Sequence, residues 1–268
     1  MHPAQRFLAM HHGSAPLVLP NAWDAGSARV LEQVGFAALA TTSAGIAFSL
    51  ARPDGSLTRA EALEHAAQII AAVDCPVTVD LEAGYGEHAT DVAATVSAAA
   101  AAGAVGANIE DARPGPGAGL FTPDAAAARL EAARDAAPAG TFVLNARIDS
   151  YLAQVDDALD DSLARAERYV AAGADCIFVP GVDDAEDIRR LASAIDAPLN
   201  VVAGLTGASP DVAALGALGV ARVSVGGSLA RAALAYVERA GREMLEDGTF
   251  GFTRETIPHG DLQRRFAR

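Results

Sequence analysis

The chain has 268 residues, a formal net charge of -14, 51% hydrophobic residues and 20% charged residues. That length accommodates one large domain burying roughly three quarters of its unfolded surface, and the composition is not that of a disordered segment. The acidic balance excludes the basic surface that nucleic acids require. The N-terminal M-H-P-A-Q-R-F-L-A-M-H-H-G lacks a signal-peptide core and no run reaches membrane-spanning length, so a cytoplasmic protein with no membrane partner is expected.

Taken in order, eight short apolar runs read as strands: 17–21, 37–42, 77–81, 106–110, 142–146, 176–179, 199–203 and 222–225. Between them, segments 91–102, 122–137, 159–172, 185–195 and 210–218 are rich in Ala, Leu, Glu and Arg, which favour helix. Several close on glycine before the next strand (A-A-A-G-A, V-A-A-G-A-D, L-G-A-L-G-V), the residue suited to a left-handed helix cap. Strand, helix, glycine and strand, repeated with short loops, is the pattern of a parallel α/β protein, and eight units in about 250 residues is the size of a (β/α)₈ TIM barrel. A doubly wound open sheet is the alternative, but P-N-A-W-D-A-G-S stands after the first strand instead of G-x-G-x-x-G. The longer connection 43–75, with R-P-D-G-S-L-T-R-A-E, is expected to overhang the barrel mouth before a helix begins. Residues 229–246 read as a last helix and 247–268 as an irregular tail, all within a single domain spanning 1–268.

In a barrel, reactive residues collect where strands end. V-T-V-D-L-E-A-G-Y-G supplies Asp80 and Glu82, G-A-N-I-E-D-A supplies Glu110 and Asp111, and N-A-R-I-D-S supplies Asn145, Arg147 and Asp149. Buried carboxylates in excess of nearby cations are costly, and a hard divalent cation with oxygen ligands would remove that cost. Arg147 is read either as a salt-bridge partner or as a bidentate grip on a substrate carboxylate. Gly226-Gly227-Ser228 reads as a tight turn in preference to a phosphate cradle, and His88 as a surface residue in preference to a general acid. Cys75 and Cys176 read as free thiols, with no zinc-type spacing. All 20 of the Lys and Arg residues are arginine, so a Schiff-base lysine and a Walker-type loop are excluded.

T-T-S-A-G-I-A, P-D-G-S-L-T-R-A-E, V-D-L-E-A-G-Y-G, N-I-E-D and N-A-R-I-D-S occur in order. Together they resemble the isocitrate lyase/phosphoenolpyruvate mutase superfamily over roughly residues 15–240. The resemblance implies a barrel whose last helix swaps between subunits, giving homotetramers built from paired dimers. It also implies Mg²⁺ (Mn²⁺ being the alternative) and cleavage of a C–C or P–C bond beside a small 2-oxo or 2-hydroxy acid through an enolate. By motif, Asp80 resembles the main metal ligand, with Glu82, Glu110 and Asp54 around the ion through water. Ser43, Ala44 and Gly45 resemble the carboxylate-binding turn, Arg147 the residue gripping the oxo acid, and Asn200 a pocket-lining residue. Arg147, Asp54 and Glu110 are the catalytic candidates.

Two departures qualify the activity. Asp80-Leu81-Glu82 replaces the more frequent D-x-D, and the 112–121 loop, A-R-P-G-P-G-A-G-L-F, has neither the cysteine of isocitrate and methylisocitrate lyases nor lysine. Standard activity of those lyases is therefore not expected, though the prolines and glycines suit a lid. A non-catalytic 2-oxo acid binding protein on the same barrel is the alternative, and a metal-dependent aldolase of another barrel family is the third reading.

Overall fold

Pro20 divides the first strand in two. In the computed structural model, which describes residues 2–115, 117–205 and 209–267, β1 (Leu17–Leu19) and β2 (Asn21–Ala22) flank this proline, which has no N–H to give a ladder. The other strands are β3 (Leu39–Thr41), β4 (Val77–Asp80), β5 (Gly106–Glu110), β6 (Val143–Arg147), β7 (Cys176–Phe178), β8 (Leu199–Val202) and β9 (Arg222–Ser224). All pair in parallel in the order β1-β9-β8-β7-β6-β5-β4-β3-β2. Because β1 pairs with β9 and β2 with β3, the two halves of the first strand join the ends of the sheet. The expected TIM barrel is therefore present, with eight strand positions made of nine segments among the described residues.

The helices follow the strands as the sequence implies. Ala89–Ala101, Pro123–Ala136, Ala158–Ala171 and Ala185–Ala194 lie within a residue or two of the expected spans. Gly103 and Gly173 close two of them at φ 97° and 96°, where a side chain would be strained. On the outward faces, Val79, Ala107, Ile109, Leu144, Ile177 and Val223 pack against these helices. At the N-terminal end the inward faces are apolar, and there Phe7 from helix Pro3–Met10 packs with Leu19, Ala38, Ala40, Val105 and Val143.

Three elements differ from expectation. Helix Pro3–Met10, started by Pro3 and capped by His2, was not anticipated because its apolar face is too short to register as a periodic pattern. Ser43–Ser49 is a helix where a turn was expected, capped by Thr42, whose Oγ1 accepts the Gly45 N–H at 3.2 Å. The tail is not irregular. A π-helical turn, Glu243–Asp247, prolongs helix Ser228–Arg242; a 3₁₀ turn, Gly251–Glu255, and helix His259–Phe266 follow. The last of these docks on helix Ala25–Val34, where Gln33 donates to the Arg265 carbonyl at 2.8 Å, so tertiary contact stabilises a segment that sequence pattern alone leaves open.

Candidate active site

Asp80 is the last residue of β4 and points inward, because Val77 and Val79 take the outward face. Its Oδ2 accepts from both the N–H and the hydroxyl of Ser43, each at 2.9 Å. Its Oδ1 accepts from Asn108 Nδ2 at 2.8 Å and from the Glu82 N–H at 3.3 Å. Four donors from three segments therefore fix this carboxylate. Asn108 was missed in the sequence, although it sits two residues before Glu110 on the same strand face and is in register with Asp80.

Beyond Asp80 the chain turns sharply. Glu82 and Tyr85 adopt φ of 49° and 56°, a left-handed conformation costing a side-chain-bearing residue about 1–2 kcal/mol. The Tyr85 hydroxyl donates to Glu82 Oε1 at 3.2 Å. Burial, and then the charge of Asp80, push the Glu82 carboxyl up to about 7. Arg129 holds the turn by donating to the carbonyls of Ala83, Gly86 (2.8 Å) and Glu87 (2.7 Å). It too was missed. Its signal is an arginine in the buried stripe Ala126, Arg129, Leu130, Ala133 of helix Pro123–Ala136.

Glu110 and Arg147 face each other in register across β5 and β6, with Nη1 2.9 Å from Oε2. Arg147 also holds Asp149 in a bidentate pair, at 2.6 and 2.9 Å. The guanidinium lines the cavity while engaged by two carboxylates, which is the salt-bridge reading of Arg147. Burial raises the Glu110 pKa against the opposing pull of Arg147. Asp111 lies outside this cluster. Alternation turns it to the other strand face, where it accepts from the Asp149 N–H (2.9 Å), the Tyr169 hydroxyl (2.7 Å) and Arg165 (3.1 Å). It braces Asp149 and, through it, Arg147.

Of these groups Asp80, Asn108 and Arg147 line a cavity of about 320 Å³ at the C-terminal end of the barrel, together with Asn21, Ser43, Ala44, Asp54 and Asn200. Asp54 overhangs it from the long connection, its carboxyl raised by burial and by Asp80. Of the Ser43-Ala44-Gly45 turn, Ser43 is committed to Asp80 and Gly45 to Thr42. Gly45 is required by packing, since a Cβ would lie 2.6 Å from Thr42 Cγ2 and 3.0 Å from Trp23 Cβ. Asn200 is fully buried; its Oδ1 accepts from Ser224 at 3.4 Å and its Nδ2 has no partner among the described residues. Gly226-Gly227 is a tight turn, as read, with the N–H groups of Val225 and Gly226 both donating to Asn21 Oδ1. His88 is exposed at a helix start, and both cysteines are free.

The 112–121 loop, whose Pro116 lies outside the described residues, folds back on itself. Arg113 N–H donates to the Gly119 carbonyl at 2.9 Å, and Ala112 bridges to Leu120. Phe121 anchors its end, with Arg129 4.3 Å and Arg113 5.6 Å from the ring centre. None of its described residues lines the cavity.

The donor set suits a hard divalent cation held largely through water. Asp54, Asp80, Glu82 and Glu110 place like charges around one space, and Arg147 at their level is already paired. Among the described residues, no group of three or more His, Cys, Asp or Glu side chains is placed so as to hold a metal ion directly. Magnesium does not need one, because it commonly takes one or two carboxylates and keeps its waters.

The phosphoenolpyruvate phosphomutase family model matches residues 7–245. The chain belongs to that family. A crystal structure described as a putative lyase/mutase from Burkholderia cenocepacia J2315 superposes with a TM-score of 0.94 at 48% identity, over 99% of this chain and 96% of that one. The 2-methylisocitrate lyase of Salmonella typhimurium is 33% identical over 78% of this chain and 72% of its own length. Phosphonopyruvate hydrolase in complex with oxalate and Mg++ gives a TM-score of 0.86 at 25% identity, over 98% and 95% of the two chains. The isocitrate lyase/phosphoenolpyruvate mutase resemblance is thus a family membership, and family members so named are lyases, mutases and hydrolases of small acids. No described helix is long and apolar enough to cross a membrane.

Proposed function

We propose that this protein is a Mg²⁺-dependent lyase that cleaves a C–C or P–C bond adjacent to a small 2-oxo acid, at the carbon next to its oxo group, through an enolate. The observation that carries this reading is Asp80, fixed by four donors among like-charged neighbours at a strand end. A neighbour holding oxalate and Mg++ and a methylisocitrate lyase relative support it. Asp80 would be the principal ligand of the ion, with Glu82, Glu110 and Asp54 around it through water. When bound, a divalent cation supplies electrostatic stabilisation of negative charge on the carbonyl oxygen.

The chain's own groups supply the rest. Arg147, held rigid by Glu110 and Asp149, presents a fixed positive charge to the oxo acid. Ala44, on the cavity wall beside Ser43 and Gly45, and Asn200 shape the pocket. The scissile bond breaks with its electron pair passing to the oxo oxygen, and a proton returns to carbon afterwards. Decarboxylation of an oxaloacetate-like acid suits this chain, because carbon dioxide leaves without an acid to protonate it. The loop 112–121 offers no thiol for that purpose.

An assay panel with Mg²⁺ or Mn²⁺ over oxaloacetate, phosphonopyruvate, methylisocitrate and substituted malates tests the proposal. Turnover of at least one is expected; turnover of none by metal-loaded protein would overturn it. That none of the described residues of the 112–121 loop lines the cavity favours the second reading of a non-catalytic 2-oxo acid binder. Thermal stabilisation by pyruvate or 2-oxoglutarate with metal, without turnover, would select that reading. A homo-oligomer belongs to the proposal, supported by Leu234 and Val237, 49% and 65% exposed on helix Ser228–Arg242; light scattering tests it.

A further inference from the structure

Beneath the carboxylates the barrel interior carries a charge of opposite sign. Arg222 opens β9 and points inward with Ser224, since Val223 between them packs outward. It is 2% exposed, yet its Nε and Nη1 have no hydrogen-bond partner among the described residues. Arg222 makes no hydrogen bond or ion pair among the described residues, whereas Arg129, Arg134 and Arg165 are each held by several acceptors even though the Arg129 Nε is also unpaired. Arg129 holds three carbonyls, Arg134 holds carbonyls and Asp175, and Arg165 holds Asp111 and Asp161. Around Arg222 lie the Phe7 ring, 5.9 Å from the guanidinium carbon, the Cys176 thiol and the His11 imidazole, none of them an anion. Burial lowers its pKa only to about 10, so it stays charged at neutral pH.

A desolvated, unpaired guanidinium is costly to the fold. Arg222 also forms part of the wall of the 320 Å³ cavity, next to Asn200, which is in register with it and has a free Nδ2 donor. Arg147 is engaged by Glu110 and Asp149, whereas Arg222 retains free donors. The cavity thus has an acidic rim and a cationic floor.

We propose that Arg222, with Asn200, binds a second anionic group on the substrate and so selects di-anionic 2-oxo acids over mono-anionic ones. This rests on reading the cavity as a 2-oxo acid site and narrows its substrate class. The second group is a carboxylate or a phosphonate, which share the charge and oxygen geometry a guanidinium recognises.

Calorimetric titration of the Mg²⁺-loaded protein tests it, with pyruvate as the mono-anionic probe and 3,3-difluorooxaloacetate and phosphonopyruvate as carboxylate and phosphonate probes. Oxalate reports on the metal end alone. The wild type should bind at least one two-anion probe about ten- to a hundredfold more tightly than pyruvate. Arg222→Met should bring that ratio close to one, leave oxalate affinity unchanged and, without ligand, keep or raise the melting temperature. A wild-type ratio near one, or an unchanged ratio in Arg222→Met, would overturn the inference. If Arg222→Met does not fold, the wild-type ratio and Arg222→Lys, which keeps the charge but loses the planar fork, decide it; an undiminished preference in Arg222→Lys counts against a guanidinium-specific site.

A metal-free arm separates this inference from the reading it rests on. Succinate and butyrate share a four-carbon chain and differ by one carboxylate, so stronger thermal stabilisation of the wild type by succinate, lost in Arg222→Met, supports Arg222. Failure of oxalate to bind with metal would instead count against the metal site.

Discussion

At the N-terminal end of the barrel, Phe7, Leu19, Ala38, Ala40, Val105 and Val143 fill the interior with apolar side chains; at the C-terminal end, Asp54 and Asp80 line an open cavity and Glu82 and Glu110 lie within reach of their charge. The first arrangement is self-sufficient, because its contacts demand nothing but exclusion of water. The second collects like charges, raised carboxyl pKa values and two side-chain-bearing residues at positive φ. One end of the fold supplies stability and the other tolerates strain that is useful only when a ligand arrives.

Substitutions at the two ends should therefore separate binding from stability. The largest effect is expected for Asp80→Asn, which keeps the shape but removes the charge. Metal-dependent turnover should fall by about 10³-fold, the upper scale for losing a placed electrostatic stabiliser. A large loss of stability with turnover retained would reverse the contrast. Phe7→Ala should do the opposite, lowering stability by about 3–5 kcal/mol in a urea titration while oxalate affinity of the folded protein is preserved.

His11 tests the boundary between the regions. Burial and then the charge of Arg222 hold its pKa down to about 4, with Phe7 O 3.0 Å from Nδ1 and His12 a further charge nearby. A histidine depressed on folding contributes stability that is complete above its unfolded pKa of about 6.5 and is lost as pH falls through 4. Urea unfolding over that range should show a loss of about 3 kcal/mol that is absent from His11→Gln. The smallest effect sharpens the picture of the mouth. Arg129→Met should cost about 2 kcal/mol and raise amide exchange in 82–88 above that of neighbouring segments. Unchanged exchange there would mean that the turn does not depend on Arg129.

Much of this was legible because it follows from local rules. Period-two alternation sets which residues of β4, β5 and β6 face inward, so Asp80, Glu110 and Arg147 could be placed on one side from spacing alone. The same rule turns Asp111 away, although its adjacency to Glu110 makes the pair look like one site. The tail helix and helix Pro3–Met10 escaped because short helices take their stability from docking.

The amino-acid sequence by itself determined the barrel, its glycine-closed helices and the strand ends at which acids gather, because each depends on neighbours along the chain. Only the tertiary structure decided that Glu110 meets Arg147, that Asn108 and Ser43 hold Asp80, that Arg129 clamps the turn after it, and that Arg222 stands unpaired below. Those partnerships join residues far apart in the chain, and they are fixed by strand register and barrel closure, which no local pattern encodes.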